Sequence, residues 1–127
     1  MTERKNFSSG AKWEDIVGYS RAVLIGNQLE ISGTVATDEN GVVGEGDFYK
    51  QTSFILEKIS NVLDQANFNM KNVIRTRIFV TDITRWAEVG KAHGDFFKDI
   101  KPATSMVEVS ALIDPKYLVE IEVTAVK

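Results

Sequence analysis

The strongest constraint on the fold is the alternation of two kinds of segment along 127 residues. Residues 48–67 and 84–100 carry apolar side chains at helical spacing along one side, which is typical of amphipathic helices. Extended runs with strand-like alternation flank both of them. The predicted order is therefore β-β-α-β-α-β-β, an α+β fold in which a single mixed sheet carries two helices on one face. A chain of this length suits one domain, residues 1–127.

Both predicted helices have end signals. Asp47 is a plausible N-cap of the first helix, and Asn67 is a plausible stop. Its apolar stripe consists of Thr52, Ile55, Leu56, Ile59, Val62, Leu63 and Ala66, whereas Lys58 is assigned mainly to the polar side. The stripe of the second helix consists of Trp86, Val89, His93, Phe96, Phe97 and Ile100. Pro102 ends this helix.

The runs 19–26 and 29–36 flank the polar pair "NQ" and predict a β-hairpin. In its second strand Ser32 and Thr34 are placed on the polar face, opposite Ile31 and Val35. Gly33 lies inside this strand, where a glycine usually marks a bulge or a close backbone approach.

Three further strands are predicted after the first helix. In the strand that begins near residue 72, Ile74, Thr76, Ile78 and Val80 are placed on one face. The last two strands lie on either side of "IDPK", where Asp-Pro is a turn signal.

Residues 1–16 show no clear period, so we interpret them as a polar lead-in whose Trp13 docks on the body. The N-terminus has no apolar segment of a secretory signal. No apolar run approaches the roughly 18 residues of a membrane span. We therefore expect a cytoplasmic protein without a membrane partner.

The charge and the residue types present exclude several kinds of site. The net charge is −3 and no run of Lys or Arg stands out, which argues against a nucleic-acid partner. Cysteine is absent, which excludes disulfides and a thiolate nucleophile. His93 is the only histidine, and its place on an apolar stripe favours a packed, hydrogen-bonded core residue. We therefore predict no metal site.

Two helices on one face leave the other face of the sheet uncovered by the chain itself. Such a face usually packs against another chain, so the sequence predicts an oligomer. Glu120 and Glu122 lie two apart in the last strand and point to the same side. If a neighbouring subunit buries that side, a carboxylate there can reach a pKa useful for proton transfer. If solvent covers it, the two glutamates have no role.

Several segments together resemble the RidA/YjgF family. They are "GYSRAV", "ISGTVATDENGVVGEGD", "VIRTRIFVTDITRWAEVGKAHGDFF" and "KPATSMVEVSALIDPKYLVEIEVTAV", and the similarity runs from about Val17 to Lys127. The resemblance implies a chorismate-mutase-like fold and a homotrimer with ligand pockets between subunits. It also implies hydrolysis of 2-imino or 2-enamino acids to 2-keto acids and ammonia, without a cofactor.

The resemblance also implies site residues. Tyr19 matches the family tyrosine of the pocket wall, Gly33 matches the glycine of the "SG" element, and Glu120 matches the last-strand glutamate that places water. Thr34, next to Gly33, is included among the expected substrate-binding residues. Glu120 is the expected catalytic residue.

Four positions depart from the family pattern, and all four are expected to contact the ligand. Thr104 stands in "PATS" where the deaminases have an arginine that grips the substrate carboxylate. Met106 replaces a cysteine or small residue, Gly90 stands where many members have asparagine, and Arg21 replaces a common glutamine. The chain thus looks like an arginine-less branch of the family.

The threonine has a direct energetic consequence. Loss of a charged, hydrogen-bonded partner in a buried site costs roughly 2–5 kcal/mol. Thr104 therefore makes ordinary 2-imino acids poor candidate substrates. One possible compensation is that Arg21 or Arg75 reaches the cleft and supplies the missing cation.

Three functions remain open at this point. The first is a cofactor-free hydrolase or deaminase of a small imine-like, enamine-like or amide-like molecule, which Glu120 and Tyr19 favour. The second is a non-catalytic trimer that binds a small metabolite as a sensor or carrier, which Thr104 favours. The third, endoribonuclease or translation inhibitor, comes from names given to the family, and the sequence pI near 5.2 argues against it.

Overall fold

The computed structural model describes residues 3–127, and its centre is a mixed sheet of six strands. These strands are β1 (Arg4–Phe7), β2 (Ala22–Ile25), β3 (Gln28–Val35), β6 (Val73–Val80), β7 (Ala103–Glu108) and β8 (Val119–Val126). A separate two-stranded ribbon consists of β4 (Thr37–Asp38) and β5 (Gly41–Val42). The main sheet has the order β1-β2-β3-β8-β6-β7, and only the β6–β7 pair is parallel.

Two long helices, α2 (Phe48–Gln65) and α3 (Trp86–Phe97), pack on each other and on one face of the sheet. Asp47 begins α2 as its N-cap, because its side chain accepts a hydrogen bond from the amide of Lys50 at 2.9 Å. The apolar stripe of α2 meets Ile31, Ile78 and Ile121 of the sheet in the main core. The predicted α+β class, with one sheet and two helices on one face, is confirmed.

From Ala22 onward the strands and helices follow the predicted order, apart from the small β4–β5 ribbon within the predicted loop. The predicted order omits two elements in the segment interpreted as a polar lead-in, residues 1–16, of which residues 1 and 2 lie outside the described part of the chain. Residues 4–7 form the edge strand β1, which pairs antiparallel with β2, and Lys12–Val17 form the short helix α1. Trp13 belongs to α1 and stays about half exposed. A strand of four residues is too short for a period to show in its sequence.

A bulge in β3 reverses the predicted faces of its second half. The pairing of β3 with β8 shifts between Ile31 and Thr34, which inserts an extra residue at Ser32–Gly33. Thr34 is therefore buried in the core, and Val35 turns to the opposite face. The prediction that Thr34 shares the polar face of Ser32 is wrong, although the bulge itself was indicated by Gly33.

A second register shift, in β6 between Val73 and Arg75, has the same effect. Val73 is buried and Ile74 is exposed, which is the reverse of the predicted arrangement. The predicted place of Trp86 on the apolar stripe of α3 is also wrong. Trp86 is the first residue of α3 and is 61% exposed.

Within residues 3–127, no long helix covers the face of the sheet opposite α2 and α3. We call it the open face, and it includes Val23, Ile25, Glu30, Ser32, Arg77, Phe79, Val107, Glu120, Glu122 and Thr124. Ile25 and Val107 on this face are 45% and 47% exposed, so the open face is too apolar to be an ordinary solvent-exposed surface.

In residues 3–127 no helix has the length and apolarity needed to cross a membrane.

Candidate functional site

A cavity of about 910 Å³ lies beside the bulge of β3, on the open face. Gly33 of β3 and Glu120 of β8 line its floor, and Tyr19, after α1, lines one wall. The loop between β7 and β8 contributes Tyr117 and Ile113. The cavity therefore forms where the bulge, α1 and this loop meet.

Glu120 is half-buried in this cavity and has the electrostatic character of a proton-transfer group. Burial raises the pKa of its carboxyl above the ordinary value, and repulsion from Glu122 raises it further, while Arg21 opposes both effects. Glu120 packs directly against Gly33: a Cβ at position 33 would lie only 2.9 Å from the Glu120 Cδ atom. Glycine at position 33 thus creates the space that the Glu120 carboxyl occupies.

The wall that carries Tyr19 is fixed by α1. Gly18 ends this helix in the left-handed conformation (φ 88°), and the amides of Gly18 and Tyr19 both donate to the carbonyl of Glu14 at 2.9 Å. The Glu14 side chain is buried and accepts hydrogen bonds from Ser8 and Ser9. Burial alone would raise the pKa of Glu14, but these hydrogen bonds hold it below its ordinary value.

Arg21 lines the same cavity and is held by the bulge. Its amide donates to the carbonyl of Phe7 at 2.8 Å, and its carbonyl accepts from the amide of Ser32 at 3.0 Å. One terminal nitrogen, Nη2, donates to the carbonyl of Gly33 at 2.7 Å. The Nε atom is covered by protein and has no hydrogen-bond partner within residues 3–127. The guanidinium and the Glu120 carboxyl therefore flank the same glycine.

Lys58 brings a second cation to the cavity from α2. Its Nζ atom reaches past the end of β3 and donates to the carbonyls of Val35 at 2.8 Å and Thr37 at 2.9 Å. Burial lowers the pKa of Lys58, repulsion from Arg21 lowers it further, and Asp38 partly offsets both. Both cations therefore line the same cavity.

A second group of polar residues lies at the β7 edge of the sheet, on the helix side. The Thr104 hydroxyl accepts a hydrogen bond from Thr76 at 2.6 Å, and Thr76 contacts His93 Nε2 at 2.9 Å. Thr76 is fully buried, whereas Thr104 is exposed. The His93 ring packs on Phe97 with 4.7 Å between ring centroids, and burial lowers the pKa of the imidazole. We call this Thr104–Thr76–His93 chain the hydroxyl relay.

Comparison with known proteins assigns the chain to a family. The Endoribonuclease L-PSP family model, which describes YjgF/RidA proteins, matches residues 10–127. The chain belongs to the RidA/YjgF family. A crystal structure of a YjgF-family member from Mycobacterium tuberculosis is 46% identical, with a TM-score of 0.89 over 98% of this chain and 100% of that one.

Several curated relatives carry the name RutC family protein. The one from Aquifex aeolicus is 36% identical over 112 residues, 86% of this chain and 88% of the relative. The one from Pyrococcus horikoshii is also 36% identical, over 111 residues, 86% of each chain.

The residues predicted from the RidA/YjgF resemblance separate into two groups in the structure. Tyr19, Arg21, Gly33 and Glu120 all line the cavity on the open face. The rest of the set lies elsewhere: Thr104 and Met106 are on the opposite side of β7, Gly90 is on α3, and Thr34 is in the core. In one protomer the sheet itself separates the two groups.

Sequence reasoning missed Lys58, which it assigned mainly to the polar side of α2. Lys58 lies three residues after Ile55 and four before Val62, so it borders the apolar stripe. A long side chain at such a border can run along apolar surface and place its amine elsewhere. The spacing of Lys58 in α2 therefore indicated that its side chain can leave the polar side. It did not indicate where the amine goes, because the carbonyls that accept from it belong to Val35 and Thr37.

Other predicted groups lie outside the cavity. Arg75 does not line it, and its guanidinium donates to the Ser105 hydroxyl at 2.9 Å. Gly90 has room for a side chain, since an added Cβ would meet only Trp86 at 3.9 Å. Within residues 3–127 no three His, Asp or Glu side chains gather as metal ligands would.

Proposed function

We propose that the protein is a homotrimer whose clefts bind and hydrolyse a small imine-like or enamine-like molecule. The cavity of one subunit supplies Glu120 and Tyr19, and the β7 edge of the next supplies Thr104 and Met106. The observation that carries the proposal is Glu120, a half-buried carboxyl with a raised pKa beside Gly33, in a cavity large enough for a metabolite. The separation of the two groups by the sheet supports a site built from two copies.

The chemistry follows from the protonation state of Glu120. The neutral acid donates its proton to the imine nitrogen, and the resulting carboxylate takes a proton from the water that adds to the imine carbon. The tetrahedral product then loses ammonia as its C–N bond breaks, and a carbonyl compound remains. A raised pKa keeps a larger fraction of Glu120 protonated near neutral pH, which favours the first step.

A second function, binding without turnover, is favoured by one observation. Thr104 offers a hydroxyl that already accepts a hydrogen bond from Thr76, where the deaminases resembled by this chain have an arginine. A cleft without that cation can retain its shape and lose its reaction. The Endoribonuclease L-PSP description of the family gives no comparable support, since the net charge is −3 and no run of Lys or Arg stands out in the sequence.

The test uses freshly generated 2-aminoacrylate and measures ammonia release. Because Thr104 lacks the cation of the deaminases, the proposal expects slow but catalysed hydrolysis by the wild type. It expects a loss of at least a hundredfold in Glu120→Gln, with Glu57→Gln on the exposed side of α2 as the matched control. Thr104→Arg asks whether the deaminase cation increases the rate. Wild-type rates equal to the uncatalysed reaction, together with a metabolite that raises the melting temperature, would establish binding without turnover.

A further inference from the structure

The hydroxyl relay has a direction, because its middle member has a single proton. The buried hydroxyl of Thr76 lies between two partners, Thr104 Oγ1 at 2.6 Å and His93 Nε2 at 2.9 Å. A hydroxyl donates one hydrogen bond and accepts two. Since Thr76 donates to Thr104, its contact with His93 is a hydrogen bond only if Nε2 carries the proton and donates it. The hydroxyl relay therefore runs from His93 through Thr76 to Thr104.

The histidine is neutral in this arrangement. Its ring packs on Phe97, and burial lowers the pKa of the imidazole, so near pH 7.5 it holds one proton. The tautomer of a neutral imidazole follows from the hydrogen bonds of its two nitrogens. If the proton were on Nδ1, Thr76 would donate to Nε2, and Thr104 would have to donate inward to Thr76. The tautomer of His93 thus decides the direction of the whole hydroxyl relay.

Thr104 is the place where the hydroxyl relay reaches the surface. It lies on β7, the edge strand of the main sheet, and is exposed. Its hydroxyl accepts from Thr76 and keeps its own proton, which no acceptor in residues 3–127 takes. A threonine without such a partner can turn either a donor or an acceptor toward a ligand. The bond from Thr76 leaves Thr104 with its donor pointing away from the core.

The donor at Thr104 is uncharged, and its neighbour on the same face of β7 is Met106. The paired strand β6 carries Arg75, but this arginine lies on the opposite face and donates to Ser105. Strong binding of an anion uses charge-assisted hydrogen bonds, which a single hydroxyl does not provide. A hydroxyl donor beside a thioether suits an uncharged acceptor, such as the carbonyl of an amide or ester.

We propose that His93 is a positioning residue that, through Thr76, holds Thr104 as a hydrogen-bond donor to a carbonyl oxygen of the ligand. This inference rests on the proposed function for the place of Thr104 in the cleft, but it is independent of turnover. His93 itself does not contact the ligand. The ligand class is thereby narrowed to molecules with an acceptor oxygen at this point, since a group that offers only N–H donors would meet another donor.

The experiment titrates the full-length, ¹⁵N-labelled protein with methyl 2-oxobutanoate, an ester that has acceptor oxygens and no donor, and follows it by NMR. The signals of the one histidine ring should show the proton on Nε2 near pH 7.5. Thr104→Val should weaken ester binding about threefold to tenfold, the effect of one neutral hydrogen bond. Thr104→Ser keeps the hydroxyl and should bind like the wild type. Thr84→Val, at an exposed threonine outside the hydroxyl relay, is the matched control and should also bind like the wild type.

The histidine variants separate a positioning role from a merely structural one. His93→Phe keeps a ring against Phe97 and removes the donor, so Thr104 can turn its proton toward Thr76. Ester binding should then fall at least about twofold, although no ligand contact is lost. His93→Gln restores an N–H donor and should recover the wild-type affinity. In the Thr104→Val protein, His93→Phe should have no further effect, because its influence passes through the Thr104 hydroxyl.

Four results would each overturn the inference. They are a proton on Nδ1 of His93, unchanged ester affinity in Thr104→Val, an equal loss from His93→Phe with and without the Thr104 hydroxyl, and no ester binding at millimolar concentration. Circular dichroism checks that each variant is folded. If His93→Phe does not fold, the tautomer in the wild type and the two Thr104 variants still decide the outcome.

Failure of this inference and failure of the proposed function give different results. Glu120→Gln should lose ammonia release and keep both the Nε2 proton of His93 and the effect of Thr104→Val on ester binding. A wild type that shows the expected ester pattern but releases no ammonia from 2-aminoacrylate supports the positioning role and contradicts hydrolysis. A wild type that releases ammonia while its ester binding ignores Thr104 and His93 contradicts the positioning role alone.

Discussion

At the scale of single residues, the candidate site depends on Gly33. Its missing side chain leaves the space for Glu120, and its carbonyl holds Arg21. The sequence predicted Glu120, Gly33 and Tyr19, because strand alternation and the family resemblance assign those positions. It could not predict that Lys58 and Arg21 share one cavity, since their partners are backbone carbonyls whose positions depend on the bulge.

Gly33→Ala is expected to displace the Glu120 carboxyl with little loss of stability. The new Cβ would contact the end of a flexible side chain rather than backbone, so the free energy of unfolding should fall by less than about 1 kcal/mol. Ammonia release should fall at least tenfold. Adding Glu120→Asp, which shortens the side chain, should relieve the clash. A crystal structure of Gly33→Ala with the carboxyl in place would contradict this account.

Glu120→Gln is expected to stabilise the protein at neutral pH. Because the folded-state pKa of Glu120 is raised, its favourable contribution is complete below the unfolded value near 4.5 and is lost as pH rises through the folded value. Glutamine does not ionise and avoids this loss. Urea unfolding of both proteins across pH 4 to 8 measures the difference, which should grow with pH. A difference that shrinks toward neutral pH would be inconsistent with a raised pKa.

At the scale of secondary-structure elements, the predicted faces were correct in the long helix with a regular apolar period and wrong where strand pairing shifts register. The stripe of α2 and the N-cap Asp47 are as expected. The faces of Thr34 and Ile74 are reversed because each lies at a register shift, where alternation passes from one side to the other. Gly33 marked the first shift, but the sequence carries no comparable mark for the second.

The hydroxyl relay connects three elements, and its histidine should make stability depend on pH. The folded-state pKa of His93 is lowered by burial, so its contribution is present above the unfolded value near 6.5 and is lost as pH falls through the folded value. His93→Gln keeps a polar partner for Thr76 and should lack this dependence. Denaturant unfolding of both proteins between pH 5 and 7.5 isolates the histidine as the difference between the two curves, because Glu120 is present in both and the chain has one histidine. Parallel pH curves for the two proteins would contradict the prediction.

At the scale of the whole molecule, the sheet has one face covered by helices and one open face. The covered face forms the core, and the open face carries the cavity beside exposed apolar residues such as Ile25 and Val107. The sequence anticipated this asymmetry because the chain offers only two long amphipathic helices. It did not anticipate that β1 extends the sheet or that α1 lines the cavity, since both elements are too short for periodicity to reveal.

Val107→Lys is expected to disrupt the proposed trimer. The new lysine lies on the open face, which also carries Arg77. Burial of this added charge against another subunit would be unfavourable. Tyr49→Lys on the outer side of α2 is the control, since a lysine there can pair with Asp95, the present partner of Tyr49. Native mass spectrometry should find trimers for the wild type and Tyr49→Lys and smaller species for Val107→Lys. A monomeric wild type would refute the assembly.

The irregularity in β3 also restricts how this gene can change. Loss of one codon between Ile31 and Thr34 would remove the extra residue of the bulge, and with it the arrangement in which Gly33 holds Arg21 and leaves space for Glu120. Gain of one codon would turn Thr34 outward and Val35 inward together. A substitution at Ser32 keeps the number of residues, so the side chains that follow still point to the same faces of the sheet. Selection should therefore remove insertions and deletions in this segment, even in relatives that bind a different ligand. The length of the segment should be conserved more strictly than the identity of its residues.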